Sequence, residues 1–324
     1  MKLVLEATEL SIGYASRKVK LGLNFSFNTG QLVCLMGPNG AGKSTLLRTI
    51  AGLQPALCGD ISVLGKPLVS LNRQERARLI SLVLTDMPLG SLSVQELVAL
   101  GRQPHTNWFG SQTEKDKQKV NEAINTVGLA MLSERTLTTL SDGQRQKALI
   151  ARALAQEGTL LLLDEPTAHL DLLNRIQIMQ LLRTLAHEQQ KTIIVATHEL
   201  HLALQTADVL WLLPEGENTP GTQGLPEDLL LNGSIEKVFK KPGFYFDAES
   251  ANFNLEIKPR GKVWVEGQGT KVYWLKRALE RYGYVMDKDA GLLIVEKEGR
   301  LKVNDLEIKN LSIAEVIGIV SGYD

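Results

Sequence analysis

The sequence has only two cysteines, Cys34 and Cys58, and no net charge, since 36 lysines and arginines balance 36 aspartates and glutamates. Neither cysteine sits in a CxxC or Cys/His spacing. That argues against a disulfide framework and a structural zinc site, and both are expected to pack as small hydrophobes in a reducing compartment. The zero balance removes any global field that would draw nucleic acid or an anionic membrane, so partners have to come from motifs. No apolar run approaches the ~20 residues of a membrane span. Met1-Lys2-Leu3-Val4-Leu5-Glu6 reaches a carboxylate before a signal-peptide core can form, and a cytoplasmic chain is expected. Internal repeats and low-complexity segments are lacking as well. What is present, 44% hydrophobic and 22% charged residues over 324 positions, is an ordinary globular composition long enough for two domains.

Alternation over residues 1–30 suits strands, with Leu3, Leu5, Leu23, Phe25 and Phe27 on one face. The buried-strand pattern Leu32–Met36 runs into Gly37-Pro38-Asn39-Gly40-Ala41-Gly42-Lys43-Ser44-Thr45 and then helix-compatible Leu46–Ile50. Residues 72–125 read as mostly helical, and a further helix is expected after Ser141. Apolar runs at Leu160–Leu163 and Thr192–Ala196 end in Asp164-Glu165 and in Thr197-His198. Near-continuous apolar strands alternating with helices imply a parallel sheet covered on both faces. Pro214–Asp228 reads as an exposed loop, followed by a short helix over Ser234–Phe239. Beyond Asp247 the texture changes. Phe253, Leu255 and Ile257 alternate, as do Val263 and Val265. Val272, Leu275, Leu279 and Tyr282 follow at helical spacing, Leu292–Val295 reads as a strand, and Ser312 and Glu315 have capping-box spacing.

Gly37 to Ser44 satisfies G-x-x-x-x-G-K-S/T. Ordinary residue frequencies give about 0.01 chance matches in a chain of this length. The glycines let successive backbone N–H groups converge on phosphate oxygens and the helix N-terminus adds partial positive charge. Lys43 reaches the β- and γ-phosphates, and Ser44 can ligate Mg²⁺. Asp164 and Glu165, after a buried strand, belong at the carboxyl edge of the sheet, where Asp164 would hold Mg²⁺ and Glu165 would orient or deprotonate the attacking water. His198 ends the next strand and should lie along the same edge, near the γ-phosphate. His105, His187 and His201 are read as structural.

With Leu140-Ser141-Asp142-Gly143-Gln144-Arg145-Gln146 between the two phosphate-site motifs, the chain resembles an ABC-transporter ATPase subunit over roughly residues 1–245. The resemblance implies an α/β P-loop NTPase of the ABC ATPase type over residues 1–247, with a helical subdomain at about 86–155; beyond it the changed texture and length of the tail read as a small α+β accessory domain over 248–324. It implies ATP and Mg²⁺ as cofactors, and a head-to-tail dimer in which Ser141, Gly143 and Gln144 of one copy close over ATP held by Gly37, Asn39, Gly40, Gly42, Lys43, Ser44 and Thr45 of the other. Tyr14 matches the aromatic residue that stacks on adenine, Asp171 the dimer-interface loop, and His198 the switch histidine. Transmembrane permease subunits are the implied partners, with a substrate-binding protein engaged indirectly, no nucleic acid, and a peripheral position on the cytoplasmic face of the inner membrane. Gln95–His105 with Trp108-Phe109-Gly110 is similar to importer ATPases serving iron-siderophore, haem and cobalamin uptake, where this segment meets the membrane subunits.

Two positions depart from the family. Thr85 stands where a glutamine touches Mg²⁺ and the attacking water, and Thr85 with Asp86 is expected to replace it with oxygen ligands. Asp142 stands where glycine is usual, and its charge is expected to face solvent or Arg145. The rival reading, a mechanochemical ATPase acting on DNA or ribosomes, would call for a long coiled coil between Lys43 and Ser141 or two ATPase units per chain, and for a basic stripe, and the sequence has none of these. The tail is either a regulatory or partner-binding domain using Trp264, Tyr273 and Trp274 or a passive stabilising appendage in which these aromatics form the core, the latter being the expectation for any one of them.

Overall fold

The computed structural model describes residues 2–15, 17–84, 90–106, 112–297, 300–304, 306–308 and 312–322. Thr85, Asp86 and Trp108–Gly110 lie outside them. The chain divides into two compact units, Met1–Lys240 and Lys241–Asp324.

In the first unit β1 (Leu3–Tyr14), β2 (Arg17–Asn28), β3 (Leu32–Met36), α1 (Lys43–Ile50), β4 (Cys58–Val63) and β5 (Lys66–Pro67) come first. Then follow α2 (Arg73–Leu79), β6 (Ile80–Val83), α3 (Val94–Leu100), α4 (Glu114–Thr126) and α5 (Asp142–Ala155). After these come β7 (Leu160–Asp164), α6 (Leu172–Glu188), β8 (Thr192–Ala196), α7 (Leu200–Thr206), β9 (Val209–Leu212), β10 (Thr222–Gly224), α8 (Pro226–Leu231) and α9 (Ser234–Phe239). An antiparallel sheet has the order β2-β1-β4-β5, and a second sheet the order β10-β9-β3-β8-β7-β6. All pairings of the second sheet are parallel except β10 with β9. Every residue of β3, β7 and β8 is buried, as strands covered on both faces require.

Phe25 and Phe27 of β2 meet Trp211 of β9 at ring-centroid distances of 4.4 and 5.0 Å, and α1 adds Leu46, Leu47 and Ile50 to the same core. Leu5, Leu23, Phe25 and Phe27 are buried as their alternation predicts, but Leu3 is exposed, because the β1–β2 register shifts between Leu3 and Leu5. Cys34 is buried and its thiol is pushed up to about 12 by burial. Cys58 is exposed rather than packed, since β4 begins there with three exposed residues before Ile61 turns inward.

Helices α3, α4 and α5 pack on one another. Ser93, Thr113 and Ser141 open them, each accepting from the backbone N–H three residues on while the Glu96, Asp116 or Gln144 side chain returns the bond. A buried ionic network joins these helices. Arg102 lies 2.9 Å from Asp116 and 2.7 Å from Glu157 and donates to the carbonyl of Ala155. The Thr113 hydroxyl and amide, with the Arg102 guanidinium, hold the Asp116 carboxyl at about 2.

The second unit comprises β11 (Phe244–Asp247), β12 (Asn252–Leu255), β13 (Gly261–Glu266), α10 (Thr270–Arg281), β14 (Tyr284–Met286), β15 (Leu293–Lys297), β16 (Arg300–Val303), β17 (Leu306–Ile308) and α11 (Ile313–Ser321). The expected boundary near 247 falls at the end of β11, the first strand of an antiparallel hairpin. Strand β13 is flanked by parallel β14 and β15 in the order β14-β13-β15-β16-β17. Val263 and Val265 share a core with Val272, Leu275 and Leu279 of α10 and Val316 and Val320 of α11. The aromatics depart from the core expectation. Tyr273 is 50% and Trp274 57% exposed, while Trp264 is half-buried with the Lys276 and Lys288 ammonium groups 5.6 and 5.5 Å from its ring centroid.

Candidate functional site

Three adjacent parallel strands, β3, β8 and β7, end on one rim of the first unit. From β3 the chain enters the Gly37–Thr45 loop, and α1 starts after Gly42, which caps it at a φ of +97°, a left-handed conformation that glycine adopts without Cβ strain. Lys43 is buried. Its Nζ bends back to donate to the carbonyls of Gly37 at 2.8 Å and Pro38 at 3.1 Å. Burial pulls the ammonium pKa down while the charges of Glu165 and Asp164 push it up, so the amine is held in an anionic surround with backbone acceptors alone.

Ser44 Oγ donates to Asp164 Oδ1 at 3.1 Å, which joins the loop to the end of β7. Burial raises the Asp164 carboxyl, against the hydrogen bond from Ser44. Two hard oxygen donors, one a poorly solvated carboxylate, suit a cation such as Mg²⁺ that keeps several waters and takes few protein ligands. Among the described residues no group of three or more His, Cys, Asp or Glu side chains could hold a metal ion, so the fit rests on this pair.

Glu165 follows at a φ of +51°, a conformation unusual for a residue with a side chain. Its N–H donates to the carbonyl of Ala196 at 3.0 Å, extending the β7–β8 pairing by one residue. His198 Nε2 lies 2.8 Å from Glu165 Oε1, and the ring donates to the carboxylate when Nε2 carries the proton. The Thr197 N–H, bonded to the Leu35 carbonyl at 3.1 Å, fixes the backbone beside that histidine.

Lys43, Ser44, Asp164, Glu165 and His198 therefore share one rim, with Gly37, Asn39, Gly40 and Thr45 around the loop. Tyr14, 50% exposed, lines a separate cleft of about 460 Å³ with Arg17, Lys18, Leu57 and Glu217. Ser141, Gly143 and Gln144 are elsewhere, at the start of α5, where Ser141 and Gln144 bond each other. A Cβ on Gly143 would come within 2.6 Å of Asn174 Oδ1, so glycine permits this approach of α5 to α6. Asp171 caps α6 through the Asn174 amide at 2.8 Å. Asp142 points to Arg145 at 2.9 Å and is solvent-exposed, as the charge argument anticipates. His105 meets the Gln156 carbonyl, and His187 the Asp208 carboxylate.

Sequence reasoning passes over three residues. Arg175 bonds the Leu170 carbonyl at 2.7 Å and Glu199 at 2.5 Å, tying the segment before α6 to the residue after His198. Lys20, fully buried, donates to the Pro214 carbonyl, to Gly216 O at 2.6 Å and to Thr219 Oγ1 at 2.7 Å. Part of the stretch expected as an exposed loop is thus stitched to β2, and that stretch also contains β10 and the start of α8. Arg102 lies in the Gln95–His105 segment that suggested a membrane-subunit contact, yet its side chain is spent inside the helical layer.

A phosphate-loop lysine, a serine–aspartate pair and a glutamate–histidine pair on the rim of a parallel sheet define a P-loop nucleotide hydrolase. A family profile described as ABC transporter matches residues 21–168, and one described as the iron ABC transporter C-terminal domain matches residues 260–317. The achromobactin transport ATP-binding protein of Dickeya dadantii is 38% identical over 233 residues, covering 71% of this chain and 86% of the relative. For the iron(3+)-hydroxamate import ATP-binding protein of Bacillus subtilis the identity is 36% over 238 residues, covering 73% and 87%. A solved chain from an inward-facing ABC transporter ascribed to the metal-chelate type matches with a TM-score of 0.64 at 31% identity, over 78% of this chain and 95% of that one. The chain belongs to the ABC-transporter ATP-binding protein family and is an ATP-binding ABC ATPase.

Proposed function

We propose that the chain is the ATP-hydrolysing subunit of an importer for an iron-chelate cargo, acting peripherally at the cytoplasmic face of the inner membrane on transmembrane permease subunits. Iron is favoured over haem and cobalamin because the tail matches an iron-transporter domain, whereas the names of similar ATPases include both iron(3+)-hydroxamate and cobalamin import. No helix among the described residues is long and apolar enough to cross a membrane, in keeping with separate membrane-spanning partners.

The hydrolytic part of this reading is carried above all by the 2.8 Å contact of His198 with Glu165, on the same rim as the Ser44–Asp164 bond. ATP phosphates would take the backbone N–H groups of the loop, and Lys43 would exchange its two carbonyl acceptors for phosphate oxygens. Ser44 and Asp164 would hold Mg²⁺, whose bound charge offsets that developing on the phosphoryl oxygens, with Thr85 and Asp86 in the glutamine's place. Glu165 would orient the attacking water and take its proton, while His198 fixes the carboxylate and steadies the γ-phosphate. Tyr14 would stack on adenine. Ser141, Gly143 and Gln144 of a second copy would complete the site, with Asp171 at the same dimer interface. Glu165→Gln keeps the shape and removes the base. ATP binding should survive, and turnover should fall by about 10²-fold or more. Retained turnover in that variant contradicts the role given to Glu165.

A further inference from the structure

A cavity of about 1030 Å³ opens in the second unit between the β11–β12 hairpin and α10. It stands at the top of the roughly 300–1,000 Å³ range of small-molecule sites and shares their character, apolar and aromatic walls with a few polar groups. Tyr245 and Phe253 come from the hairpin, and Trp274, Arg277 and Arg281 from one face of α10. Phe253 is braced by Phe246 at 4.7 Å. Trp274 and Tyr245 stay 57% and 47% exposed, an aromatic surface with nothing of the described second unit covering it.

The hydrogen-bond donors of this cavity are short of acceptors among the described residues. Glu280 is the only carboxylate among the described lining residues. Arg277 has Asn254 Oδ1 at a long 3.4 Å, and Arg281 lies over the Tyr282 ring at 5.6 Å. Asp247 feels the charge of Arg277, but its oxygens accept from Ser250 and Glu249. Among the described residues neither guanidinium forms an ion pair. Because Arg277 takes the oxygen of Asn254, the amide is oriented with Nδ2 inward, and Nδ2 is buried without a hydrogen-bond partner. A buried donor left unsatisfied is costly, and planar guanidinium forks match carboxylate oxygens.

We propose that this cavity binds an aromatic anion, its ring on Trp274 and Tyr245 and its carboxylate or similar oxyanion between Arg277 and Arg281. The oxyanion displaces Asn254 Oδ1 from Arg277, so the amide can turn and present Nδ2 to the same oxygen.

Isothermal titration of the full chain with 2-naphthoate and with the neutral 2-naphthylmethanol tests the assignment. Expected is one naphthoate per chain, with the alcohol about tenfold weaker or more, the difference a charge-assisted hydrogen bond makes. Arg277→Gln with Arg281→Gln should erase the preference for the acid, and Trp274→Ala should weaken both ligands. Lys276→Gln, on α10 but outside the lining, should change neither, and unchanged melting of each variant verifies folding. Equal affinity for acid and alcohol would overturn the proposal and make the groove a docking face for an apolar partner. Absence of naphthoate binding at millimolar concentration, or full binding by the double arginine variant, would overturn it as well.

Discussion

At the scale of single residues, the phosphate rim is built by carboxyl-terminal strand ends. Lys43, Ser44, Asp164, Glu165 and His198 were legible in the sequence because each stands within a few residues of an apolar run whose direction fixes where it emerges. Arg175, Glu199 and Lys20 were not, since their partners lie far along the chain or on the backbone and no motif marks them. The positive φ of Glu165, of the kind that stores strain at functional sites, was equally invisible, because a local apolar pattern carries no signal of what turns at its end. Asp142 was legible as a departure, and its contact with Arg145 at the exposed start of α5 implies little energetic weight, since exposed ion pairs contribute roughly 0–1 kcal/mol. Asp142→Gly should therefore leave steady-state ATP turnover within about fivefold. A strong acceleration would mean that this charge restrains closure of the site.

At the scale of elements, the helical layer α3–α5 packs an apolar core that includes Val94, Leu97, Val98, Val120, Ile124 and Leu149, and capping boxes and a buried ionic network fix its helix ends. The capping residues Ser93, Thr113 and Ser141 could be read locally, but the Arg102–Asp116–Glu157 network could not. It joins the end of α3 to the start of α4 and the end of α5, and a segment that looked like a partner contact proves partly structural. Asp116→Asn should destabilise the first unit by about 3 kcal/mol, the cost of removing one partner from a buried charge, and unfolding by urea measures it. Because Asp116 is lowered from 3.8 to about 2, its contribution is complete above the unfolded value and is lost as pH falls toward the folded one. Protection of the α4 amides, taken relative to their intrinsic exchange rate at each pH, should fall between pH 4 and pH 2 in the native chain, and the Asn variant should show a smaller change. An equal loss of protection in both would remove Asp116 from this role.

At the scale of the whole molecule, each unit has its own core, one around Phe25, Phe27 and Trp211 and the other around β13, α10 and α11. The change of texture near Asp247 announced two units. Which side of the seam the hairpin takes depends on pairing and packing that a composition shift does not encode. Burial of the aromatics was misjudged although the signal was present: the helical spacing of Val272, Leu275 and Leu279 sets the inward face of α10 and leaves Trp274 on the opposite side. A chain ending at Lys240 should fold and bind ATP with unchanged affinity, which nucleotide titration checks. Loss of ATP binding would show that the first unit depends on the second. The central claim is that a complete site needs Lys43 from one copy and Ser141 from another. Mixing Lys43→Ala subunits with Ser141→Arg subunits tests it most directly, because only mixed dimers rebuild one intact site. ATP turnover should appear in the mixture at about a quarter of the native rate, the share expected of a symmetric dimer with one of two sites restored in half the population. Neither variant should turn over alone. A mixture as inactive as its folded parents, or a Ser141→Arg protein fully active by itself, would contradict the account.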